Sequence, residues 1–375
     1  MKKVLIRQFL SQSHSWAKIG QGVGRSLIKS GYSVDLFPTD GMKYLPDDLK
    51  KNVIGYWNEK SQVLNGKMPG NDYETAFSYT APHNWSRYTF GAKNRLVCWC
   101  FEFKGTTNSL PPGFAKNHSF VDYILPPSQF AKEVFLDSGV PENKMAVIPH
   151  AIDDVFFEEA RPPIKLKTNR RVKLVAAFGQ IHLRKNIPAM LTAYGKAFTN
   201  SDDICFVIKA TDKKPEAAFE ASFRDILKDF KFRFPNHAKI LVLTDFIPEM
   251  DSLYRACDIY FSMSHTESFG IPFWEAASLG LVNVMPRYGG MLDFFNDNNS
   301  LMVEGKIANA PPAALYWQQR SGLQWFDPSI DDAVEKLRYA YENVDMLKAK
   351  FDCRAQIKER YNWDRITSDI MALAK

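Results

Sequence analysis

Residues Ser264–Gly280 read SHTESFGIPFWEAASLG and set two glutamates eight positions apart, Glu267 and Glu275, with Gly270 and Pro272 between them. Proline suits the first turn of a helix and bars the residue before it from helical geometry. A helix is therefore expected to begin at this proline and to stop at Gly280, a residue type favoured just past a helix end. The backbone N–H groups of Ser268, Phe269, Gly270 and Ile271 would point out of that helix start, an arrangement that attracts phosphate. Glu267 lies at the loop edge, where a sugar attached to such a phosphate would meet it. Glu275 lies about one turn inside, where it can reach a ribose diol, because a carboxylate accepts two hydrogen bonds in a fixed geometry. Together these groups describe the recognition of a nucleotide-sugar.

Working outward, the chain alternates short buried-strand runs with helical stretches. VKLVAAFG (172–179), ICFVIKAT (204–211), AKILVLTDF (238–246), IYFSMS (259–264) and LVNVMP (281–286) read as strands. NIPAMLTAYGKAF, AAFEASFRDILKDFKFRF and EMDSLYRAC read as helices between them. The first part of the chain repeats the pattern with KKVLIRQF, YSVDLFP, NVIGYW, ETAFSYT, RLVCWCFEF, VDYILPPS and MAVIPHAI as strands. Continuous apolar runs separated by helices predict parallel sheets covered on both faces. The proline- and cation-rich stretch EEARPPIKLKTNRR places a linker near residues 155–170. The expected architecture is two doubly wound Rossmann-like α/β domains, residues 1–155 and 156–358, with a ligand cleft at the carboxyl ends of their strands.

A length of 375 residues suits two domains, and 45% hydrophobic with 24% charged residues is the balance of a soluble globular chain. The opening MKKVLIRQFL resembles a signal peptide only superficially, since Arg7 and Gln8 break its apolar run, and no stretch approaches a membrane span. Five scattered cysteines, an odd number, read as free thiols of a reducing cytoplasm, with Cys98 and Cys100 on one face of a strand. Residues 1–150 carry 18 Lys+Arg against 12 Asp+Glu, and residues 151–375 carry 30 of each, so the whole net charge of +6 lies in the first part. That asymmetry is either ordinary surface variation or the mark of an anionic partner: a nucleic acid, a polyanionic glycan or a membrane surface.

The segment ESFGIPFWEA, preceded by SLYRACDIYFSMSH, resembles the Glu-x7-Glu motif of retaining glycosyltransferases of the GT-B fold, above all family 4. In that family the first glutamate contacts the donor sugar and the second the ribose, which implies those roles for Glu267 and Glu275. VIPHAIDDVFF resembles the family's turn into its second domain, with His150 and Ala151 where asparagine and glycine are usual. FGQIHLRKN resembles its strand-loop element, which implies Arg184 and Lys185 on the diphosphate. Gln180 stands there in place of a first arginine, so either one cation fewer serves or His182 compensates. WAKIGQGVGRSL resembles the glycine-rich loop after the first strand, with Gly22 near the donor phosphates, although some ten residues separate strand and glycines. LTDFIPEMDSLY resembles the segment that holds the nucleobase through main-chain groups, near Phe246 and Ile247. The closing RYNWDRITSDIMALAK resembles the family's last helix, implying that residues 359–375 cross back to the first domain.

The resemblance implies sugar transfer with retention from a nucleotide-diphosphate donor, without a further cofactor. No Asp-x-Asp of the kind that holds a metal-bound diphosphate is present, so no metal is expected. Glu102, in WCFEF at the end of a strand, is either an opposing carboxylate or an acceptor-binding group, and His83 in APHNW is either an acceptor-orienting residue or a satisfied loop histidine. A hydroxylated base in nucleic acid, a lipid-linked glycan and an anionic polysaccharide are the acceptors that the basic first part suggests. A nucleotide-sugar-binding module without turnover, or an epimerase or hydrolase of the same fold, is the competing function.

Overall fold

The computed structural model describes residues 2–11, 15–58, 62–105, 108–158, 161–178, 182–210, 223–245, 247–314 and 322–374. The chain divides into two compact units: Met1–Phe101 with Thr107–Asp153 and Glu359–Lys375, and Glu102–Thr106 with Asp154–Lys358.

The first unit is built on a parallel sheet of β1 (Lys3–Gln8), β2 (Ser33–Pro38), β3 (Tyr73–Tyr79), β4 (Ala92–Cys98) and β5 (Tyr123–Leu125), in the order β2-β1-β3-β4-β5. Val4, Leu5 and Ile6 of β1 are all fully buried, which is why the strand reads as an unbroken apolar run rather than an alternating one. Helix α1 (Ser15–Lys29) buries Ile19, Val23 and Leu27, spaced four apart on one face. The helix Trp363–Ala372 belongs to the same unit: Trp363 packs on Gly22, Lys29 pairs with Asp364 at 2.6 Å, and the Trp363 indole donates to Asp153 at 3.1 Å.

The second unit holds a six-stranded parallel sheet of β6 (Val172–Phe178), β7 (Ile204–Ala210), β8 (Lys239–Leu243), β9 (Ile259–Phe261), β10 (Val282–Pro286) and β11 (Leu301–Val303). Its order is β8-β7-β6-β9-β10-β11. The chain runs outward from β6 to β8, returns to pair β9 with β6, then runs outward on the other side. The loops that leave β6 and β9 therefore diverge, and a crevice opens above their carboxyl ends. Leu174, Phe206, Ile208, Ile259 and Val284 form one core layer of this sheet with Leu191 and Tyr194 of α3 (Ile187–Ala197). A three-stranded antiparallel sheet, Gly305–Asn309, Leu323–Pro328 and Lys104–Gly105, stands beside it.

Both units are α/β with Rossmann-like parallel sheets, as expected, but several local readings need correction. NVIGYW does not join the parallel sheet; Gly55–Asn58 pairs antiparallel with Val63–Gly66 in a separate hairpin. MAVIPHAI forms no ladder beyond one bridge from Met145 to Ile124, with Ile148 N–H donating to the Pro126 carbonyl at 3.0 Å. Strand β4 ends at Cys98, so Cys100 is not on its face, and all five cysteines are free. Glu102 closes no strand of the first unit and belongs to the second. Gly20, Gly22 and Gly24 lie inside α1 rather than on a loop. Ala151 needs no glycine, because it is not among the residues with positive φ. Among the described residues no helix is long and apolar enough to cross a membrane.

The helical glycines are set by packing. A Cβ on Gly22 would lie 2.2 Å from the Trp363 ring, whereas one on Gly24 would meet Ile6 and Leu36 at an ordinary 3.5–3.6 Å. Gly22→Ala is expected to destabilise the first unit by about 1–3 kcal/mol, as overpacking does. Gly24→Ala should be neutral or stabilising by roughly 0.5–1 kcal/mol, through helix propensity. Urea unfolding of both variants checks the contrast; equal effects would remove the packing explanation.

Candidate active site

Beyond β6 the backbone is extended at His182, makes one turn of 3-10 helix over Leu183–Lys185, and passes through left-handed geometry at Asn186 (φ 52°) into α3. Asparagine tolerates that region better than most residues. The His182 ring takes part in the turn, its Nδ1 accepting the Arg184 N–H at 3.1 Å. That bond needs an unprotonated nitrogen, and burial, then the nearby Arg184 and Lys185 charges, push His182 down to about 3. His182 thus shapes the loop as a neutral ring. Across the crevice the His265 N–H donates to the Arg184 carbonyl at 2.8 Å, tying the loop after β6 to the loop after β9.

Glu267 sits on that second loop and receives both cations of the first. Arg184 Nη1 lies 2.8 Å from Glu267 Oε2, and Lys185 Nζ lies 2.6 Å from Oε1. The same Arg184 Nη1 donates to the Thr266 carbonyl at 2.8 Å. Burial on its own would raise the Glu267 carboxyl, but Arg184 and then Lys185 outweigh it and hold the group at about 2. Burial and then Arg184 lower Lys185, against the pull of Glu267 toward the charged form. The main chain of Glu267 is fixed as well: its carbonyl accepts the Gly290 N–H at 2.8 Å. Gly289 has φ 108°, and a Cβ there would lie 2.6 Å from that carbonyl, so glycine alone fits the approach.

Helix α4 (Phe223–Arg233) and α5 (Met250–Arg255) precede the helix that starts beside Glu267, α6 (Ile271–Ser278). Gly270 is its N-cap in left-handed geometry (φ 78°), and Pro272 stands in the first turn. Gly280 follows the helix end with φ 77°; its N–H donates to the Ala277 carbonyl and that of Leu281 to Ala276, the paired bonds of a Schellman stop. The start is stiffened from below, where the Phe269 ring stacks on Trp274 at 4.9 Å and the Trp274 indole donates to the Phe269 carbonyl at 3.3 Å. Glu275, one turn in, is buried and faces the Tyr254 phenol of α5, which burial and then the Glu275 charge raise well above its ordinary range.

The structure thus brings Arg184, Lys185, His182, Glu267, Ser268, Phe269, Gly270 and Ile271 to one place on the second unit, with Glu275 in the next turn. Glu102 joins them, its carboxylate 3.8 Å from Arg184 Nη2. Ile247 lies partly buried between β8 and α5, while Phe246 and Gln180 fall outside the described residues. Gly22 is not part of this cluster; it is enclosed in the first unit under Trp363. His83 is exposed on a short 3-10 turn of that unit, 5.7 Å from the Phe114 ring. His150 is buried there beside the Tyr79 hydroxyl at 3.5 Å, and burial pushes it down to about 3.

Three contributors carried no legible signal. Thr266 donates its hydroxyl to the Glu102 carbonyl. His265 stacks on Trp325 at 3.6 Å and hydrogen-bonds the Phe326 carbonyl through Nδ1 at 2.8 Å. Gly289 and Gly290 hold the Glu267 main chain from the loop after β10. A Gly-Gly pair marks a turn, but nothing in the sequence says which residue lies over it. Chemically, two cations beside a helix start can receive a diphosphate, and a carboxylate before that start with another one turn inside it can receive sugar hydroxyls.

Residues 160–310 match the family model described as glycosyl transferases group 1. Over 260 residues the chain is 25% identical to "Putative glycosyltransferase 45" of Sulfolobus islandicus filamentous virus (isolate Iceland/Hveragerdi), a match spanning 67% of this chain and 66% of that protein. Among solved structures, a glycosyltransferase from Rickettsia africae ESF-5 superposes with TM-score 0.71 at 14% identity, covering 100% of this chain and 98% of that one. Anabaena HepE, solved in complex with UDP and glucose, gives 0.67 at 13% identity and 99% of both chains. Sucrose-phosphate synthase from Thermosynechococcus elongatus gives 0.69 at 12%, covering 100% and 98%. At such identities the likeness establishes the fold, which this chain shares with GT-B glycosyltransferases. Arg184, Lys185, Glu267 and Glu275 all lie within residues 160–310, the stretch that matches the family model for glycosyl transferases group 1.

Proposed function

We propose that the chain is a glycosyltransferase that moves a sugar from a nucleotide-diphosphate sugar to an acceptor hydroxyl, with retention at the anomeric carbon. The observation that carries this reading is Glu267, held by Arg184 and Lys185 at the switch point of the sheet and followed eight residues later by Glu275, one turn inside α6. HepE, a neighbour in fold, is solved with UDP and glucose, which supports a donor of that kind.

In this reading the diphosphate takes up the two cations and the amides at the head of α6, while Glu267 turns to the sugar hydroxyls and Glu275 to the ribose. Charge builds on the leaving phosphate as the anomeric bond breaks, and Arg184 and Lys185 stabilise it in a site already arranged for that purpose. The acceptor approaches on the face from which the phosphate departs, and the phosphate takes its proton. No strong protein base is then needed, in keeping with His182, whose burial disfavours taking up a proton. Donor hydrolysis separates this reading from a binding module, which would turn over nothing.

Lys185→Ala is expected to weaken nucleoside diphosphate binding tenfold or more, since a charge-assisted contact contributes roughly 1.5–3 kcal/mol. Glu267→Ala should leave that affinity intact or higher and abolish most turnover, because its removal frees both cations. Calorimetry with UDP and GDP, followed by a turnover assay, checks both; unchanged affinity in Lys185→Ala removes the phosphate assignment. Retention is read from the coupling constant at the new anomeric centre, and an inverted product would end this reading of the mechanism.

The ion pairs also set an acid limit. The Glu267 carboxyl is held at about 2, below its ordinary 4.5, so the unfolded chain takes up this proton first as pH falls. The stabilisation is complete above about pH 4.5 and is lost as pH drops toward 2. The gap in unfolding free energy between wild type and Glu267→Gln should narrow by on the order of 3 kcal/mol over that window. A constant gap would mean that the carboxylate is not held low.

A further inference from the structure

Glu102 lies among residues of the first unit in sequence but is built into the second. Lys104 and Gly105 pair antiparallel with Gln324 and Leu323, adding a short strand to the small sheet. The Glu102 carbonyl accepts the Thr266 hydroxyl, one residue before Glu267. Its carboxylate, partly exposed at 29%, then stands 3.8 Å from Arg184 Nη2, whereas Glu267 meets the same guanidinium through Nη1. Glu102 also favours the charged form of Lys185. With His182 neutral, the described residues of the cluster include two cations, Arg184 and Lys185, and two carboxylates, Glu102 and Glu267.

From this arrangement we infer that Glu102 is a positioning residue that holds the Arg184 guanidinium and limits how tightly the cationic pair grips a diphosphate. The inference rests on the nucleotide-diphosphate reading of the cluster. When a diphosphate draws Arg184 and Lys185 away from Glu267, Glu102 is the carboxylate that stays beside Arg184. It keeps the side chain in one rotamer and offsets part of its charge. Both effects act on release: a site with two cations and no remaining counter-charge would retain the nucleoside diphosphate product. The donor and the product share the diphosphate, so Glu102 weakens the binding of both.

The test is calorimetry of UDP, GDP and inorganic pyrophosphate against wild type, Glu102→Gln and Glu102→Asp, with steady-state kinetics and melting curves on each. Glu102→Gln should bind all three anions roughly three- to tenfold tighter, because a carboxylate within several ångströms of Arg184 has been neutralised. Its kcat should fall while KM for the donor falls too, as expected when product release becomes slow. Glu102→Asp should move both values back toward wild type. Unchanged or weaker anion binding in Glu102→Gln with an unaltered melting curve overturns the inference. If Glu102→Gln fails to fold, Thr266→Val serves instead: it keeps all four charges but frees the Glu102 main chain, and should tighten binding in the same direction by less. No tightening in Thr266→Val would then overturn the inference. Pyrophosphate separates this proposal from the functional reading beneath it. A wild type that binds pyrophosphate but no nucleoside diphosphate sinks the functional reading and leaves the Glu102 effect measurable, whereas binding of neither sinks both.

Discussion

A buried carboxylate shared by a buried arginine and a partly buried lysine governs the design of the second unit. Taking three charges out of water is expensive unless each finds its partner at hydrogen-bond distance. Here the partners come from two loops that are remote in sequence and adjacent in space only because β9 returns to pair with β6. Sheet order is therefore a condition of the charge cluster, and the cluster in turn fixes loop conformation. The supports follow from that demand: His182 and Asn186 turn one loop, Gly289 and Gly290 secure the Glu267 main chain, and Trp274 steadies the head of α6. A rigid receptor with little reorganisation left to do is what charge stabilisation of a departing phosphate requires.

The positive excess of residues 1–150 takes on a different meaning once its members are located. Lys3 lies 2.7 Å from Asp72 and 3.4 Å from Asp35, Arg25 holds Asp48 at 2.7 Å, and Lys50 holds Asp47 at 2.6 Å. Arg7 is interior, 5% exposed, with Phe37 and Tyr88 at 5.0 and 5.2 Å from its guanidinium and the Arg87 carbonyl accepting from it at 3.0 Å. Aromatic faces and a carbonyl make a cation tolerable there without a carboxylate. Arg7 is thus spent inside the sheet, whereas the pairs of Lys3, Arg25 and Lys50 use carboxylates already set against them in the net count and leave the excess to other cations. A count of ionisable residues overstates what this unit presents to an anionic acceptor.

The two doubly wound sheets were legible because parallel strands buried on both faces leave unbroken apolar runs, as at Val4–Ile6 and Leu174–Phe178. The head of α6 was legible because proline and glycine state backbone geometry directly. The glycines of α1 misled for a physical reason: a missing Cβ serves a phosphate loop and a tight side-chain contact equally well. Only the distant Trp363 tells which applies at Gly22. Glu102 was misplaced because the apolar run RLVCWCFEF outlasts the strand pairing, which stops at Cys98. Hydrophobicity records burial, and the chain remains buried at Trp99 and Phe103 while it leaves one sheet for another.

The helix Trp363–Ala372 fills the space that Gly22 leaves open and meets α1 at Ser26 and Lys29 as well. It is also the last described helix to be synthesised. As the nascent chain emerges, the second unit has all of its strands before the first has its final wall. The side of α1 around Gly22 must then wait, without this helix, through the making of about two hundred residues. Vectorial synthesis thus reverses the order suggested by position in the sequence: the inserted unit can complete its core first, and the unit that begins the chain is the last to close.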